Sequence, residues 1–88
     1  MEYLPIGSIV KLNNGITKLM IIGYCKLMKE DKLKTNDYIA CVYPLGVTSM
    51  KKVVAFKSSD INEVLIKGLE DDDYKELMSL MNNKKEYW

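Results

Sequence analysis

An α+β fold is predicted for this chain: a bent antiparallel sheet of about five short strands, then a C-terminal amphipathic helix. Closure of the sheet into a small SH3-like barrel is a further option. Three observations lead there. Leu19–Met28 is apolar at odd and even positions alike, with Lys26 its one charged residue, so it reads as a central strand covered on both faces. Shorter apolar runs flank it, separated by turn-forming residues. Beyond Leu69 the apolar residues switch to helical spacing.

In chain order, Leu4, Ile6, Val10 and Leu12 alternate onto one side of an extended segment, interrupted by Ser8, with a strand from about Ser8 to Leu12. Asn13-Asn14-Gly15 suits a tight hairpin turn into the central strand. Lys29, Glu30, Asp31, Lys32 and Lys34 mark a solvated loop. Asp37–Tyr43 is a second strand apolar on both faces, ended by Pro44-Leu45-Gly46, and Val53–Phe56 is a fourth. Ser58-Ser59-Asp60 marks another turn, and a one-turn bend at Asp60–Asn62 leads into a short fifth strand ending before Gly68, favoured over a helix by its β-branched residues and by Gly68. Glu70–Asp73 supplies negative charge where a helix begins, and Tyr74, Leu77, Met78 and Met81 recur at i, i+3, i+4, i+7. The whole of 1–88 reads as one domain: a strand meander over about 4–68, a helix over about 70–83, and a tail carrying Tyr87 and Trp88.

The composition narrows the chemistry. With 88 residues there is room for one modest core, and a net charge of +1 gives no strong pull toward nucleic acid or an anionic membrane. No signal-peptide pattern is visible, so a cytoplasmic location is expected, with no membrane insertion. Cys25 and Cys41 lie in apolar runs and read as buried, reduced thiols. Histidine is absent, which removes the commonest general base and nitrogen ligand. No nucleophile stands beside a base, two cysteines cannot close a zinc site, and Asp71-Asp-Asp-Tyr-Lys lacks the alternation of a calcium loop. We therefore expect no catalytic, cofactor-binding or metal-binding residues, and no enzyme activity. Two features suggest a protein partner. Tyr74, Leu77, Met78 and Met81 form a face that suits either the core or an adaptable binding surface. Tyr87 and Trp88 suit either a fold-back contact or an anchor.

Four blocks of sequence carry a resemblance: Leu4-Pro-Ile-Gly-Ser-Ile-Val-Lys-Leu12, Leu19-Met-Ile-Ile-Gly23, Asp37-Tyr-Ile-Ala-Cys-Val-Tyr-Pro-Leu-Gly46, and Phe56 with Asp60-Ile61, Glu63-Val64 and Gly68. In order and spacing they resemble a family of small Gram-positive bacterial proteins known as a domain of unknown function, number 4176. The resemblance implies an accessory protein encoded beside LXG-type toxins of the type VII secretion system, and a chaperone or targeting role toward such a toxin. An immunity protein that neutralises the toxin is the alternative, and a small barrel binding nucleic acid or a small ligand is a third. The resemblance supplies no catalytic residues.

Overall fold

The computed structural model describes residues 2–83. Five strands and one helix follow in order: β1 Ile9–Leu12, β2 Leu19–Tyr24, β3 Tyr38–Val42, β4 Val54–Phe56, β5 Ile61–Ile66 and α1 Asp72–Asn82. The strands form a single antiparallel sheet in the order β4-β3-β2-β1-β5, with the segment singled out as central in the middle.

The strand order has a geometric consequence. Four spacings of about 4.8 Å would set the outer strands of a flat sheet about 19 Å apart. Yet β4 reaches β5 through Lys57 and one turn of 3-10 helix, Ser58–Asp60, which bridges only about 12 Å. The sheet must therefore curl. The junction is fastened: Ser58 N donates to the Asp37 carboxylate at 2.7 Å, and Asn13 N to the Asp60 carbonyl at 2.8 Å. β4 and β5 nonetheless do not pair, so the expected option of a closed barrel is not realised and the sheet stays open.

The core lies on the inner face of the curl, where Val10, Leu19, Ile21, Tyr24, Tyr38, Ala40 and Phe56 meet Tyr3 and the helix residues Met78 and Met81. Cover on both faces holds for β3, in which Ile39 and Cys41 are also buried, but only partly for β2, where Met20 and Ile22 stay half-exposed. β2 stops at Tyr24, earlier than the apolar run, because the chain turns through 3-10 helix at Cys25–Leu27. That turn lets Lys26, the one charge in the run, donate to the Met81 carbonyl at 2.8 Å, at the end of α1 where carbonyls lack partners. The β1–β2 hairpin forms, but through a longer loop than the tight turn expected. Residues 13–18 connect the strands, and Asn14, not Gly15, takes the left-handed conformation at φ 62°.

Candidate functional site

Alternation would place Ile6 with Leu4 and Val10 on the buried face. Instead the chain turns at Gly7, whose φ of 91° lies in the left-handed region, and Ser8 N donates back to the Pro5 carbonyl at 3.1 Å. Ile6 is thereby turned outward and left 48% exposed. Gly68 lies flat against the same turn. Its N–H donates to the buried Ser8 hydroxyl at 3.0 Å, and a Cβ there would run into the Ile6 carbonyl. This explains the polar Ser8 in an apolar run, and it sets Leu69 beside Ile6.

The helix completes the arrangement. Asp71 caps it, its carboxylate accepting from Tyr74 N at 3.0 Å. Tyr74 donates its hydroxyl to the Tyr3 carbonyl, which fixes the first turn against the N-terminal segment. Between the helix and the Gly7 turn lies a notch of about 280 Å³ lined by Ile6, Tyr24, Leu69, Asp71, Asp73, Tyr74 and Leu77. Its walls are apolar, its rim carries two carboxylates, and Leu69 is 74% exposed. Burial first, and then the charges of Glu2 and Glu70, push the Tyr74 hydroxyl above its ordinary pKa. Such a surface is suited to receiving an apolar side chain from a partner. It offers no nucleophile beside a base. Among the described residues, no three His, Cys, Asp or Glu side chains are grouped to hold a metal ion.

Of the helix face expected to meet a partner, Tyr74 and Leu77 line the notch. Met78 and Met81 do not: at 6% and 1% exposure they belong to the core, because their helical spacing points them at the sheet. Tyr87 and Trp88 lie outside the described residues. Reading the sequence missed Ile6, Tyr24, Leu69, Asp71 and Asp73. Leu69 had a signal, an apolar residue just ahead of an acidic run, while the two aspartates were absorbed by the needs of the helix start.

Comparison with known proteins yields one match. The family model described as Domain of unknown function (DUF4176) covers residues 3–77, which includes every strand and the whole lining of the notch. No curated protein and no solved structure matches the chain.

Proposed function

The chain belongs to the family described as Domain of unknown function (DUF4176), and from that premise we propose that it is a non-enzymatic protein-binding module. We assign it the role of a cytoplasmic chaperone or targeting factor for an LXG-type toxin of the type VII secretion system. The observation that carries the binding role is the open apolar notch at Ile6, Leu69, Tyr74 and Leu77 with its acidic rim. Apolar surface left in water is stabilised when covered, by roughly 25 cal/mol per Å². Carboxylates at the rim orient a partner more than they add affinity. The toxin as partner rests on the family resemblance of the sequence blocks. In keeping with a role away from the bilayer, no helix among the described residues is long and apolar enough to cross a membrane.

The test is co-expression of the protein with the LXG-type toxin encoded beside it. A chaperone co-purifies with the toxin, leaves its toxicity intact when both are in the cytoplasm, and raises its export. Leu69→Asp, which puts charge on an already exposed position, abolishes co-purification while leaving the thermal melt unchanged. Protection of cells against the toxin would instead favour an immunity role, and undiminished capture by the Leu69→Asp variant would remove the notch from the binding surface.

A further inference from the structure

A second apolar surface lies at the other end of the sheet, on the loop between β3 and β4. Tyr43, Leu45, Val47 and Met50 are all exposed there, Leu45 to 71% and Met50 to 80%. The loop is braced in that state. Gly46, at φ 77°, bridges to Val42 and donates to its carbonyl at 2.8 Å. Ser49 accepts from Lys51 N at 3.2 Å, capping a turn of 3-10 helix at Met50–Lys52. Apolar side chains are thus held out on an ordered scaffold, followed by the exposed ammonium groups of Lys51 and Lys52.

We propose that this loop docks into the notch of a second copy, so that the protein associates head to tail. The two surfaces match in both respects that matter. Apolar side chains on an ordered turn meet an apolar recess, and Lys51 and Lys52 meet a rim formed by Asp71 and Asp73. The contact cannot close within one copy. Tyr43 N donates to the Lys18 carbonyl, which ties the loop to the Leu19 end of β2, whereas the notch sits at its Tyr24 end, about 17 Å along the strand. Surfaces at opposite ends give a heterologous contact that leaves one loop and one notch free, so it propagates as an open chain. A small interface of this kind is weak and salt-sensitive. The inference stands on the loop and the notch alone and does not depend on the toxin as partner.

Sedimentation analysis of the purified protein decides it. The average mass of the wild type rises with concentration toward the millimolar range and falls when salt is added. Leu69→Asp and Met50→Asp, each at an exposed position and each checked for an unchanged melt, stay monomeric alone. Mixed in equal amounts they form dimers and nothing larger, because one supplies an intact loop and the other an intact notch. Leu69→Ser and Met50→Ser serve as a second pair if either aspartate variant melts early. A wild type that stays monomeric, a mixture that stays monomeric, or a single variant that still associates would each overturn the proposal. So would binding of anionic phospholipid vesicles by a monomeric wild type and its loss in Met50→Asp, which would assign the loop to a membrane surface.

Discussion

Two tyrosines on neighbouring strands hold both backbone polar groups of Leu4: Tyr24 donates its hydroxyl to the Leu4 carbonyl at 2.7 Å, and Leu4 N donates to the Tyr38 hydroxyl at 2.9 Å. With Tyr3 the two rings pack at centroid separations of 5.6 to 6.2 Å, so the N-terminal segment is fastened by aromatic edges and hydrogen bonds together. Leaving such a group buried and unpaired costs roughly 1–3 kcal/mol. Burial, and then the neighbouring Tyr74 and Tyr38, pushes Tyr24 up to about 12, and burial moves Tyr3, Tyr38 and Tyr74 in the same direction. The folded protein therefore keeps phenolic protons that the unfolded chain releases from about pH 10. Their contribution to stability is full below that value and is lost as pH rises through the folded pKa, about 12 for Tyr24. Denaturation midpoints should fall across this alkaline window, and Tyr24→Phe should flatten part of the fall. An identical slope in the variant would assign the loss to other groups.

At the scale of elements, the helix is held by packing and by both its ends. Eleven residues are marginal for a helix alone in water, so burial of Met78 and Met81 and the contacts of Asp71 and Lys26 decide whether it forms. Met81→Asp places a carboxylate among Tyr3, Tyr24 and their neighbours at a cost of several kcal/mol. The cooperative melt should collapse in that variant, while Ser79→Asp, on the exposed side, should leave it within about 0.5 kcal/mol of the parent. An unchanged Met81→Asp melt would contradict the packing of the helix on the sheet. β5 has its own device. Opposite β1, Asn62 and Leu65 are extra residues, since Leu12 faces Ile61 and Lys11 faces Glu63, while Val10 faces Val64 and Ile9 faces Ile66. Two bulges twist this edge, and β4 at the other edge has only three residues, so neither edge is a flat template for strand addition.

For the molecule as a whole, curling without closure creates one continuous core and two ends with different exposed chemistry. Cys25 and Cys41 are both buried, Cys41 on the face of β3 opposite that core, with burial raising the Cys25 thiol pKa first and the charge of Asp37 adding to it. Both thiols should label only as fast as the whole domain opens, so the labelling rate should follow stability as urea is raised. Rapid labelling of Cys25 in native buffer would show that the Tyr24 end opens on its own. The antiparallel sheet, its central strand and its C-terminal helix were legible because period-2 and period-3.6 patterns act over short stretches of chain, but the expected meander is not kept in its last strand, since β5 leaves β4 and pairs with β1. The notch was not legible. Ile6 leaves its alternating face through a turn at Gly7 that Gly68 fits, and those two residues are distant in sequence.

The sequence alone determined the number and kind of elements, the central place of Leu19–Tyr24, the burial of both cysteines and the family. These follow from local periodicity, turn chemistry and the order of the blocks. Only the tertiary structure decided that the sheet stays open, that Met78 and Met81 belong to the core while Tyr74 and Leu77 line a notch, and that Lys26 holds the helix end. Each depends on which distant surfaces the curl brings together, and hydrophobicity read along one strand or helix does not say whether its apolar face meets a neighbour or water.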